Sequence, residues 1–120
     1  MGTTTPHPIL DTDILRRYIG EDEEIVREFL VGYRESAVTY HQKLMQAYLG
    51  KDYQTLANAA HSFKSSSRAV GALALGELCS EVESAAKRHD ATALDAYCPL
   101  FSQELARVEQ RLDELLAPAP

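Results

Sequence analysis

The sequence predicts an all-α fold: an up-and-down four-helix bundle with a short accessory N-terminal helix. Three observations predict it. Four of the five prolines lie at the ends (Pro6, Pro8, Pro118, Pro120), so almost the whole interior is free of helix breakers. Apolar residues recur at helical spacing through each interior run, and no alternating strand pattern competes. Gly20, Gly50 and Gly71 each close such a run and precede residues suited to restarting a helix. The joints are therefore short, which makes consecutive helices antiparallel neighbours.

The first ten residues, with Thr3, Thr4, Thr5 and two prolines, cannot bury enough to stay ordered alone and are expected to form a tail. A short first helix starts with Asp11 or Asp13 as N-cap and runs through Ile14, Leu15 and Tyr18 to Gly20. A long second helix starts in the acidic stretch Glu21 to Glu24, where carboxylates favour the N-terminal dipole. Its expected buried stripe is Ile25, Phe29, Tyr33, Ala37, Tyr40, Leu44 and Ala47 or Tyr48. A third runs from Asp52 to Val70 with Leu56, Ala60, Phe63, Ser67 and Val70 on one side. A fourth runs from Leu73 to His89 with Leu75, Leu78, Val82 and Ala85 or Ala86. The last covers Asp90 to Leu116 with Leu94, Tyr97, Phe101, Leu105, Val108, Leu112 and Leu115, Pro99 either kinking it or splitting it in two. One domain over 11–116, with a tail at 117–120, accounts for the chain. The tyrosines at 33, 40, 48 and 53 read as core and boundary residues.

Composition narrows the function. A 120-residue chain that is 45% hydrophobic and 25% charged has core material for a single domain. Net charge of −6 with only 12 Lys and Arg argues against nucleic acid, whose binding rests on clustered positive charge. No apolar run is long enough for a membrane span or a signal-peptide core, so a cytoplasmic location is expected. Cys79 and Cys98 are too few and too far apart for a zinc or redox motif and read as buried thiols, which the antiparallel pairing could bring near one another but which the cytosol would leave reduced. No phosphate-cradling glycine loop or kinase signature is present. The four histidines, His7, His41, His61 and His89, sit on different elements at no ligand spacing, so no metal is expected. Ser65, Ser66 and Ser67 beside His61 form a helical run, not a hydrolase elbow.

One constellation stands out. Projected at about 100° per residue from Leu56, the residues Ala60, Phe63, Ser67 and Val70 fall within about 40° of the buried direction. Lys64, Arg68, His61 and Ser65 project at about 80°, 120°, 140° and 180°, a histidine, two cations and a small residue on one outward patch. An exposed imidazole is largely uncharged at neutral pH and can attack phosphorus. A lysine one turn along can support a phosphoryl group, and Ser65 leaves room for a donor to approach in line. By spacing alone the patch is equally a solvated helix face. On the fourth helix Glu83 lies level with His61 if the two helices are antiparallel about Gly71 and Ala72. Its carboxylate can reach a ring nitrogen of His61 or the amine of Lys64, or else form an i,i+4 surface pair with Lys87.

The run from Ala59 to Ala72, Ala-Ala-His-Ser-Phe-Lys-Ser-Ser-Ser-Arg-Ala-Val-Gly-Ala, resembles the AHxLKGSSxxxGA signature of histidine-containing phosphotransfer (HPt) domains. The likeness extends upstream from Asp52 to Leu56 and downstream from Leu78 to Glu83, and spans about 100 residues. It implies a four-helix bundle with His61 as the phosphorylated residue, Lys64 as the cation that stabilises the phosphoryl group and Gly71 as the turn. Two positions depart: Ser65 stands where glycine is usual, and Phe63 where leucine is usual. The resemblance also implies that Glu83 takes a ring nitrogen of His61, fixing the tautomer and leaving Nε2 free for phosphorus. Implied partners are receiver domains of response regulators and hybrid kinases, which bring the acidic pocket and Mg²⁺; this chain would need no cofactor and no ATP. Receiver docking around His61 is expected to use Ile14 and Leu15, with Arg68 and Lys87 as further contacts. A phosphate-independent adaptor is the alternative, which the presence of both His61 and Lys64 disfavours. A dimerising kinase domain would carry an acidic residue directly after the histidine, where Ser62 stands, so a monomer is expected.

Overall fold

A computed structural model describes residues 9–118. Five helices follow one another: α1 (Thr12–Ile19), α2 (Glu23–Leu49), α3 (Tyr53–Ala69), α4 (Leu73–Lys87) and α5 (Ala91–Leu116). The last four pack around a ring, each against the next and α5 back against α2, while α1 lies on α2 and α3. The bundle closes within one chain. Across its centre the Phe63 and Phe101 rings meet edge-on, with centroids 6.1 Å apart, and Phe63 stacks between Tyr33 and Tyr40 at 5.6 and 5.1 Å.

Four of the five helices start at an aspartate whose carboxylate accepts an orphan backbone N–H: Asp11 from Asp13, Asp22 from Glu24, Asp52 from Thr55 and Asp90 from Ala93. The α1 cap is thus Asp11 rather than Asp13. At the α2–α3 joint the left-handed residue is Lys51 (φ 57°), not Gly50 before it. Pro99 lies inside a continuous α5, so the last stretch is not split in two.

The stripe expected on α2 is wrong in its first two turns. Ile25 and Phe29 are 40% and 49% exposed, and Val26 and Leu30 take their places in the core. The reason is geometric: stepping by four residues drifts about 40° per step around the helix, so Ile25 stands about 120° away from Ala37. Val26 and Leu30, eleven and seven residues before Ala37, return to within about 20° of it. The expected tail also needs correction. Residues 1–8 lie outside the described residues, but Leu10 belongs to the core, and Asp11 N–H donates to the Gly71 carbonyl at 3.0 Å. The turn at Gly71 (φ 88°) has no room for a side chain: a Cβ there would sit 2.0 Å from the Asp11 carbonyl oxygen. This clasp fixes the α3–α4 turn, and with it the register between the two helices.

Candidate functional site

That register brings His61 of α3 level with Glu83 of α4. His61 presents its ring to solvent, with 63% of the side chain exposed, while its Nδ1 lies 2.9 Å from Glu83 Oε2. Lys64, one turn on, donates to Glu83 Oε1 at 2.7 Å, and Lys87, one turn further along α4, approaches Oε2 at 3.0 Å. The two possibilities left open by the sequence therefore hold together: Glu83 meets the imidazole, the Lys64 amine and its i,i+4 lysine.

Glu83 is nearly enclosed, only 6% exposed. Burial pushes its carboxyl up, but the hydrogen bonds from Lys64, Lys87 and His61 outweigh that cost and hold it at about 2, below the usual 4.5. The carboxylate is ionised throughout the neutral range and can only accept. The His61 nitrogen facing it must therefore be the donor, so the neutral ring carries its proton on Nδ1 and its lone pair on Nε2. The exposed edge of the imidazole thus presents a free lone pair at Nε2, and the ring is held in orientation from behind by an anion.

Ser65 is exposed on the same face, and Arg68 is exposed two turns beyond His61. Lys64 is more enclosed than its projection suggests, with 18% of its side chain accessible, because its ammonium turns inward to Glu83. Leu15 is a correction. It is 1% exposed and packs in the core, since its side of α1 is the one laid on α2 and α3, so it cannot dock a partner; Ile14 is half-buried. The large apolar residues exposed on α1 and α2 are Tyr18, Ile25, Phe29, Val38 and Leu49. Phe29 borders a groove of about 540 Å³ between α2 and α3, whose lining includes Gly32, Ser36, Ser66 and Ala69. The small residues spaced three or four apart on α2 and α3 were the sequence signal for it. Cys79 and Cys98 are both buried and unpaired, and burial raises their thiols to about 12 and about 11. Among the described residues no cluster of three or more His, Cys, Asp or Glu is placed to hold a metal ion, and no helix is long and apolar enough to cross a membrane.

The model of the Hpt domain matches residues 28–117, a span that contains the whole constellation. The chain belongs to the Hpt domain family. Two solved structures share the fold. Histidine-containing phosphotransfer protein B (HptB) from Pseudomonas aeruginosa PAO1 is 26% identical, the match covering 98% of this chain and 100% of that one with a TM-score of 0.84. The HPT domain of a sensor hybrid histidine kinase from Shewanella is 24% identical over 91% of this chain and 94% of that one, with a TM-score of 0.79. No curated protein sequence matches the chain at a significant level. Hpt domains carry a phosphoryl group on histidine within two-component phosphorelays, where they work with receiver domains. This Hpt chain is a histidine phosphotransfer module.

Proposed function

We propose that His61 is the phosphoacceptor, and that the chain relays a phosphoryl group from one receiver aspartate to another through Nε2 of this residue. The observation that carries the assignment is the 2.9 Å bond from Nδ1 to an ionised, enclosed Glu83, which leaves Nε2 as the only nucleophilic atom on an exposed ring. Nε2 attacks the phosphorus of the aspartyl phosphate in line; the N–P bond forms as the acyl P–O bond breaks, and the aspartate leaves as a carboxylate. The Nδ1 proton stays on the ring, so the product is a phospho-imidazolium whose charge faces Glu83. Return to a second receiver reverses the same bonds.

Lys64 supports the phosphoryl oxygens from one turn away, Lys87 shares Glu83 with it, and Ser65 keeps the approach to Nε2 clear. The Mg²⁺ of the reaction belongs to the receiver, and the chain itself uses neither ATP nor a metal. A receiver docks over the outward face of α3 and the exposed residues Tyr18, Ile25 and Phe29, with half-buried Ile14 at the margin. We place the chain in the cytoplasm, acting as a monomer.

The test is incubation with a receiver domain carrying labelled aspartyl phosphate. The wild-type chain should acquire a label that is acid-labile and alkali-stable, and His61→Gln should acquire none while staying folded, because a ring this exposed has little packing to lose. Label on the Gln variant overturns the assignment. A wild-type chain that binds the receiver and takes no label would instead be an adaptor.

A further inference from the structure

Arg68 lies on α3 two turns beyond His61, about 10.5 Å along the axis and within about 20° of the same face. The register that sets His61 level with Glu83 sets Arg68 level with Gly76. A Cβ at Gly76 would stand 2.8 Å from Arg68 Cγ and 3.4 Å from Nε, so the stem of the arginine runs across α4 through the space this glycine leaves. Gly76 is buried inside α4, a position where alanine would favour the helix more. The arginine is therefore laid sideways over α4 rather than back along α3 toward the imidazole. Its charge is also unlike its neighbours': Lys64 and Lys87 are both met by Glu83, whereas among the described residues no carboxylate lies within 4.0 Å of the Arg68 guanidinium.

We infer that Arg68, seated across Gly76, is the cation with which this chain docks an acidic rim of its receiver partner, and that it sets partner affinity rather than transfer chemistry. The inference rests on the phosphotransfer reading and adds to it a docking residue and its seat. An unpaired guanidinium beside the acceptor, on a chain of net charge −6, marks where a negative partner surface gains and where repulsion by the rest of the chain is locally reversed. A planar donor held by its stem also loses less freedom on pairing than a mobile lysine.

The experiment compares two phosphoryl donors: phosphoramidate, which is too small to need docking, and a phosphorylated receiver domain that serves the wild-type chain. For Arg68→Ala the half-saturating receiver concentration should rise about 1.5- to 5-fold, the range of an exposed ion pair. The rise should fade in high salt, while the maximal rate and the phosphoramidate rate stay unchanged. Arg68→Lys should recover part of the loss. Gly76→Ala, which keeps the arginine but fills its seat, should shift half-saturation in the same direction. An unchanged half-saturation in Arg68→Ala overturns the inference, as does a phosphoramidate rate that falls in step, since Arg68 would then act on the phosphoryl group. A wild-type chain that accepts from neither donor removes the phosphotransfer reading itself, and this inference with it.

Discussion

Replacing Glu83 by glutamine removes one charge and one acceptor while keeping the shape, and the geometry of the site dictates the consequences. Two carboxylate oxygens serve three donors: Oε1 takes Lys64 at 2.7 Å, and Oε2 takes His61 at 2.9 Å and Lys87 at 3.0 Å. An amide has a single acceptor oxygen. With that oxygen toward His61 and Lys87, its NH₂ opposes the Lys64 ammonium, donor against donor. With the oxygen toward Lys64, the NH₂ faces Nδ1 and makes it an acceptor, which moves the ring proton to Nε2 and blocks the nucleophile. Either way one hydrogen bond to a charged group is lost, worth about 1.5–3 kcal/mol. Transfer from a saturating phosphorylated receiver should slow about 10- to 100-fold in rapid-quench measurements. Nitrogen NMR of the ring should show the proton leaving Nδ1 for a larger share of the molecules. The acid limb supplies a second readout. The folded value of about 2 lies below the usual 4.5, so the stability Glu83 contributes is present above about pH 4.5 and is lost as pH falls toward 2. The gap corresponds to about 3 kcal/mol, so the wild-type advantage over Glu83→Gln in urea should shrink steadily below pH 4.5. A Gln variant that transfers within about twofold of wild type with an unchanged tautomer would refute the orienting role.

Lys64→Ala should slow transfer by about 5- to 150-fold without abolishing it, because about 1–3 kcal/mol of electrostatic support goes while the nucleophile stays; an unchanged rate in the same assay refutes its role. Gly71→Ala should cost about 2–4 kcal/mol in urea unfolding, since the new Cβ would lie 2.0 Å from the Asp11 carbonyl oxygen at φ 88°, and an unchanged midpoint refutes the clasp. Tyr33→Phe should cost about 1–3 kcal/mol by stranding the buried Ser67 hydroxyl, now 2.8 Å from the phenol, and adding Ser67→Ala should return much of it; additive losses would show that the two do not act as a pair.

The legible parts of the molecule were those governed by short-range rules. Asp22, Asp52 and Asp90 cap where the sequence places helix starts, and the α3 stripe from Leu56 to Val70 is buried as its period predicts. His61 and Glu83 were predicted to lie level because a single tight turn at Gly71 separates their helices, leaving no slack in the register. Where length accumulates, the same rules lose phase: over the 27 residues of α2 a choice between steps of three and four moved the stripe from Val26 and Leu30 to Ile25 and Phe29. Leu10 and Leu15 depart from the sequence expectation for a different reason. A one- or two-turn segment carries too few residues to show which side is covered, and that side was decided by the docking of Asp11 on Gly71. Gly76 had no local signal at all, because its meaning lies in an arginine eight residues earlier on another helix.

The charge of the site differs in sign from the charge of the chain, and the difference explains why an enclosed carboxylate sits at its centre. Lys64 and Lys87 against Glu83 leave a local excess of one positive charge on a chain of net charge −6. In the proposed reaction a phosphoryl group would bring about two negative charges to Nε2 while the ring keeps one positive charge, so the loaded site would be near neutral and the empty one would attract its load. Without Glu83, Lys64 and Lys87 would repel each other across the α3–α4 seam and hold the dianion too firmly to release it. With Glu83, both lysines already have a partner before transfer, and each gains only the difference between two anions when phosphate arrives. In the proposed reaction Glu83 would thereby do two things from one position: aim the imidazole, and lower the affinity of the lysines for a group the carrier must give away.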